Sequence, residues 1–265
     1  MLHTFSQWLI GFTFYSFLGW LCESIYCSIP AKRFINRGFL NGPFCPVYGF
    51  GALLVLFILQ PFSDNMVLIF LFGMLITSLL EYITSYLLEK LFHTSWWDYS
   101  NKRFNIRGRV CLKNSLLFGA LCVLLVLLIH PLGQMMAASL PAWLLPGLSW
   151  CLLAYFIGDT VLSVYTILRL NGKLQQIHGL RNDIESKKQE AKHKIQQNLE
   201  QRLDDDIKAK IDLLIQKKKE LEQNSKWLQR RLIAAFPQMR SIRHPDLLLR
   251  IKQEIENRRA KRNEK

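Results

Sequence analysis

Long apolar stretches, broken by short polar ones, fill the chain from Phe5 to Leu168. The runs are about Phe5–Ile29, Val47–Phe62, Met66–Phe92, Ser115–Ile129 and Trp143–Leu168. A bilayer core takes about 20 helical residues to cross, and lipid-facing backbone must satisfy its own polar groups, so each run reads as a membrane helix. The second run is short, and Pro43 to Pro46 extend it as a first turn. The expected fold is all-α: about five transmembrane helices over residues 1–168, then a cytoplasmic helical tail over 169–265. The Phe5 run has no basic stretch before it and no small-residue cleavage site after it, so it is expected to stay as a helix rather than be cleaved as a signal peptide.

Charge placement sets the orientation. Of 34 Lys and Arg residues, nine precede Arg169, all between Lys32 and Lys113. They fall after the first run or around the loop after the third. With five crossings, these loops and the tail share one side. The positive-inside rule makes that side cytoplasmic, with the N-terminus outside. A soluble protein with buried helices has no reason to segregate charge this way.

Two turns follow acid-bearing helices. The first is Asn36-Arg37-Gly38-Phe39-Leu40-Asn41-Gly42-Pro43-Phe44-Cys45-Pro46-Val47-Tyr48-Gly49, preceded by Glu23. The second is Arg107-Gly108-Arg109-Val110-Cys111, preceded by Glu81. Gly permits close backbone approach and Pro fixes φ, so the first composition is that of a fixed turn. Gly51-Ala52-Leu53 and Gly119-Ala120-Leu121 follow in the next helices, which reads as two parallel two-helix repeats. Asp159 after Gly158 is the start of a possible third unit.

Glu23, Glu81 and Asp159 are the candidate intramembrane acids. Charge in hydrocarbon is costly, so such acids face a partner or a polar path. They either converge on one cavity or bind helices together; Glu89, near a helix end, reads as interfacial. Arg37, Arg107 and Arg109 are the candidate anion-binding groups, since a guanidinium matches phosphate or carboxylate bidentately. Arg37 and Arg107, each followed by Gly, are preferred. Asn36, Gly38, Cys45 and Gly108 complete the turn set. In Trp96-Trp97-Asp98-Tyr99 the aromatics suit an interfacial belt, and Asp98 is expected to pair with Arg107 or Arg109 and shape the turn.

The six cysteines, Cys22, Cys27, Cys45, Cys111, Cys122 and Cys151, form no C-x-x-C pair and read as free thiols. Cys45, Cys111 and His93 fall short of the four ligands of a tetrahedral zinc site, so no metal is expected, and no cofactor is implied. No P-loop, G-x-S-x-G or H-E-x-x-H is present.

In the tail, Leu174, Ile177, Leu180 and Ile184 recur at helical spacing, then Leu203, Ile207, Ile211, Leu214, Leu221, Leu228 and Leu232. Ile207, Leu214, Leu221 and Leu228 are seven apart, which predicts a coiled coil or a helical hairpin over about 173–235, folded near Asp204-Asp205-Asp206. Lys218 and Ser225 interrupt the companion row. Pro245 starts a last helix over about 245–262, whose basic end, Arg258 to Arg262, suits anionic lipid headgroups. No aromatic-bearing RNA motif accompanies the charge, so nucleic acid is not an expected partner.

Tyr15-Ser16-x-x-Gly19-Trp20-x-x-Glu23, the first turn, Glu81-Tyr82, Trp96-Trp97-Asp98-Tyr99-Ser100 and Gly108-Arg109-Val110-Cys111-Leu112 together resemble the ABC-transporter permease family of the CmpB type. The resemblance covers about residues 5–165 and excludes the tail. It implies a multi-pass protein of the bacterial cell membrane and a transport subunit; it carries no assigned catalytic residues. Three functions follow as expectations. A permease-like subunit without its own nucleotide site would need a separate ATPase, docked on the turns or the tail. A membrane enzyme would hold a lipid or lipid-linked phosphate on the arginines and move protons through Glu23 or Glu81. A scaffold would act through its tail, with homodimerisation there as a further option. Whether the chain is an enzyme stays open.

Overall fold

The computed structural model describes residues 2–196, 201–223 and 227–263, which are helical almost throughout. Their order is α1 Leu2–Ala31, α2 Pro46–Leu59, α3 Met66–Phe92, α4 Leu112–Leu124, α5 His130–Ala138, α6 Leu144–Gln196, α7 Gln201–Gln223, α8 Trp227–Ala235 and α9 Pro245–Asn263. The chain divides into two compact units. One is Met1–Tyr165 with Ala234–Met239; the other is Thr166–Ile233 with Arg240–Lys265.

Among the described residues, four helices are long and apolar enough to cross a membrane: Phe5–Ile29, Met66–Phe92, Leu112–Ala138 and Leu144–Glu190. Pro46–Phe62 is a shorter apolar helix. It rises roughly 25 Å, against a hydrocarbon core of about 30 Å. On α3, Leu75, Leu79, Ile83, Leu87 and Leu91 stand one turn apart, and all are exposed. A stripe of this size is an aggregation surface in water and an ordinary face in lipid. The α3 row Gly73, Thr77, Glu81, Ser85, Glu89 has the same spacing and is small or polar throughout.

Within the first unit, α1 packs on α2 and α3 on α4 as helical hairpins, with α2 also against α3. Tyr15, Val55, Leu56, Leu59, Ile69, Cys122 and Val126 belong to the core between them. At Gly19 and Gly49 α1 and α2 approach closely: a Cβ on Gly19 would collide with the Tyr48 side chain, and one on Gly49 with Ser16. The fourth apolar run continues past Ile129 rather than ending there. A π-turn, Leu125–Ile129, joins α4 to α5. Pro131 cannot donate and crowds the carbonyl four residues back, and the widened turn before it accommodates both defects.

Among the described residues of the second unit the buried apolar ones are Ile167, Leu170, Leu174, Ile177 and Ile184 of α6, Ile207 of α7, Leu232 and Ile233 of α8, and Leu247, Leu248, Ile251 and Ile255 of α9. The fifth apolar run and the first tail helix are one unbroken helix, α6. Asp204-Asp205-Asp206 lies in the first turns of α7, which starts at Gln201. The heptad row is split, Leu221 ending α7 and Leu228 starting in α8, while Ser225 lies outside the described residues. The side chains of Leu203 and of the Arg258–Arg262 cluster are likewise outside what is described.

Candidate functional site

Residues 32–45 leave α1 and run back along it. Ser24 Oγ accepts from Arg37 N at 3.1 Å and Ser28 Oγ from Ile35 N at 2.9 Å. The match is geometric: four residues of helix rise about 6 Å, and two residues of extended chain span about 6.6 Å. Trp20 Nε1 donates to Asn36 Oδ1 at 2.6 Å, and Cys45 N to Ser16 O at 2.9 Å. Cys45 Sγ donates to Arg37 O at 3.1 Å.

The tip of this turn is held by Asp159 of α6. Its Oδ1 accepts from Asn41 N at 2.9 Å and Asn41 Nδ2 at 2.8 Å; its Oδ2 accepts from Gly42 N at 2.8 Å and the Tyr155 hydroxyl at 3.2 Å. The carboxylate thus accepts from three amide N–H groups of the turn, donors that are costly to bury without acceptors.

A cavity of about 250 Å³ lies among α1 to α4 and the two turns. Glu23, Arg37, Gly38, Cys45 and Glu81 line it, with Tyr48, Trp96, Trp97, Tyr99 and Phe236. Glu23 Oε1 accepts from the Tyr48 hydroxyl at 2.6 Å, and its Oε2 is 3.6 Å from Arg37 Nε. Arg37 Nη1 donates to Ala235 O at 2.7 Å, and the guanidinium sits 4.6 Å above the Phe236 ring. Phe236 meets Trp96 edge-on, centroids 4.8 Å apart.

Glu81 is less well served. Its Oε1 accepts from the Tyr99 hydroxyl at 3.3 Å. Its Oε2 is buried and has no partner among the described residues. Trp96, 2% exposed, has its Nε1 buried and equally without a partner. Burial, then the Glu81 and Glu23 charges, push the Tyr99 phenol well above its ordinary value, so it stays a donor.

The second turn arranges its residues differently. Asn105–Ile106 pairs antiparallel with Val110–Cys111. Arg107 and Gly108 sit between them at φ 52° and 68°, and Arg109 N bonds Ile106 O at 3.0 Å. Arg107 is exposed at the tip. A Cβ on Gly108 would come within 2.7 Å of Asp98 Oδ1 and Ser100 Oγ. Asp98, expected to pair with Arg107 or Arg109, accepts from Ser100 N at 2.9 Å and from the Ser100 hydroxyl. The acid on Arg109 is Glu89, one turn from the end of α3, joined by the Tyr82 hydroxyl at 3.3 Å and the Tyr82 and Tyr86 rings.

Glu23, Arg37 and Glu81 therefore come together. Asn36, Asp98, Arg107, Gly108, Arg109 and Asp159 lie outside the cavity lining. Sequence reasoning missed Tyr48 and the Ala235–Phe236 pair. Tyr48 stood in the first motif beside Gly49. Phe236 and Trp227 are the two aromatic residues after Arg169, which marks Phe236 as out of place in a charged tail.

Comparison with known proteins adds one match. A family model described as "Putative ABC-transporter type IV" covers residues 10–164. That span holds every cavity residue named above except Phe236. No curated protein and no solved structure matches the chain.

Proposed function

The chain belongs to the family described as "Putative ABC-transporter type IV", and from that premise we propose that it is a permease-like membrane subunit whose ligand chamber is the Glu23–Arg37–Glu81 cavity. The observation that carries this is Glu81: a membrane helix holds an acid beside a cavity with one carboxyl oxygen unused. Intramembrane acids of this kind mark substrate or ion paths.

In this reading all five apolar helices cross, Pro46–Phe62 being the short one, and α1/α2 and α3/α4 are two copies of one hairpin. The basic turns face the cytoplasm, the N-terminus lies outside, and residues 169–265 form the cytoplasmic tail. A chain without a P-loop needs a separate ATPase to drive transport. Exposed Arg107 at the second turn is a docking point for it. Ala234–Met239 belongs to the same compact unit as the chamber: Arg37 holds the Ala235 carbonyl, and Phe236 is part of the cavity wall. The basic end of α9 suits anionic headgroups.

The test is affinity purification of the full chain in a gentle detergent, with mass spectrometry of what accompanies it. A stoichiometric nucleotide-hydrolysing subunit, weakened by Arg107→Glu, is the expected result. Recovery of the intact chain with no ATPase partner in any of several detergents overturns the reading.

A further inference from the structure

The cavity's polar groups do not balance, and the imbalance has a sign. Among the described lining residues Arg37 is the one Lys or Arg. It is already committed, to Glu23 at 3.6 Å, to Ala235 O at 2.7 Å and to the Phe236 ring. Glu23 in turn has Arg37 and the Tyr48 hydroxyl. Those two charges cancel. Glu81 remains, with one 3.3 Å hydrogen bond and a buried oxygen that nothing in the described chain meets. A buried ionised carboxylate is tolerated only when paired.

The walls specify the rest of the ligand. The cavity that the acid lines is walled by Tyr48, Trp96, Trp97, Tyr99 and Phe118 with aliphatic side chains. Aromatic faces attract cations, tryptophan best, and strip little from an apolar body. Trp96 adds an unpartnered N–H in a side chain only 2% exposed, a donor waiting for an acceptor oxygen. An apolar cavity of about 150 Å³ already accepts benzene, so about 250 Å³ admits a ring with an aminoalkyl arm.

We propose that the cavity binds a small organic cation: an ammonium set against Glu81 Oε2, on an apolar or aromatic body carrying an oxygen acceptor for Trp96 Nε1. This deepens, and rests on, the assignment of the cavity as the ligand chamber. It is separable by experiment, because binding to the purified chain needs no ATPase.

The probe is tyramine, titrated calorimetrically into the purified full-length protein at neutral pH. Tyrosol, which replaces the ammonium by a hydroxyl and enters detergent at least as readily, is the control. The expected result is saturable binding of about one tyramine per chain, with tyrosol weaker by about tenfold or more. Glu81→Gln should bring tyramine down to the tyrosol level. Tyr99→Phe, which frees the other Glu81 oxygen, should leave tyramine binding as tight or tighter. No saturable tyramine binding, equal binding of the two probes, or full discrimination retained in Glu81→Gln overturns the proposal. Loss of discrimination in Tyr99→Phe also overturns it, because the phenol and not the carboxylate would then be the determinant. A failed titration beside a co-purifying ATPase would leave a transporter with a different cargo.

Discussion

Arg37-Gly38 and Arg107-Gly108 are the same dipeptide in two turns, each after a helix bearing an acid, and the fold puts them to opposite uses. Arg37 is drawn inward because its own N–H is fixed to Ser24 in an extended segment. Its side chain then reaches Glu23, Ala235 and Phe236. Arg107 occupies a left-handed position at a hairpin tip and points no charge into the cavity. In the second turn the arginine two residues on, Arg109, pairs with Glu89 and donates to the Tyr82 hydroxyl, whereas Arg37 pairs with Glu23, whose other oxygen accepts from the Tyr48 hydroxyl. Only the first of these trios lines the cavity. A motif thus names a residue type; the backbone around it chooses the neighbour.

The comparison breaks most readily at Asp159. Asp159→Ala strips the first turn of its acceptor for Asn41 and Gly42, and should cost about 3–4 kcal/mol, read as a lowered unfolding midpoint in detergent. Next is Arg37→Ala. It removes a charge-assisted hydrogen bond and a cation–π contact, about 2–3 kcal/mol together. Amide exchange over residues 234–239 should rise at least about tenfold, while Arg109→Ala leaves that segment unchanged. Equal effects of the two substitutions would erase the distinction between the turns.

Gly108→Ala should destabilise by about 1–2 kcal/mol, since φ is left-handed and the methyl meets Asp98 and Ser100. A smaller effect comes from pH. The folded Tyr99 phenol titrates well above an unfolded one, at about 10, so the unfolded chain releases its proton first. Stability should therefore be level below that pH and fall as pH rises between the two values. Tyr99→Phe should flatten the fall. Smallest is Arg107→Asn, which suits the left-handed turn and should gain under about 1 kcal/mol, without changing tyramine binding.

Much of the fold was legible because it rests on local pattern. Run length marked the membrane helices, and the Leu174, Ile177 and Ile184 spacing marked residues that are buried. The helix ends were less legible. The fourth apolar run was read as ending at Ile129, and a π-turn carries the helix on past Pro131; α6 runs on past Leu168, where the fifth apolar run ends. Glu23 and Glu81 stood out because an acid in an apolar run is costly wherever it lands. The row of five small or polar side chains on α3, one every four residues from Gly73 to Glu89, was also there to be read.

Hydrophobic periodicity and the cost of buried charge act over a few turns of chain, and those the amino-acid order carries by itself: an all-helical membrane protein, two fixed turns, three conspicuous acids. Which acid holds a turn and which faces a cavity depends on partners far away in sequence. Arg37 meets Ala235 across 198 residues, and Asp159 meets Asn41 across 118. Such pairings are chosen by packing, because a polar group inside an apolar bundle takes whichever partner the helices bring within about 3 Å. That selection left Glu81 with an oxygen to spare, and only the tertiary structure could decide it.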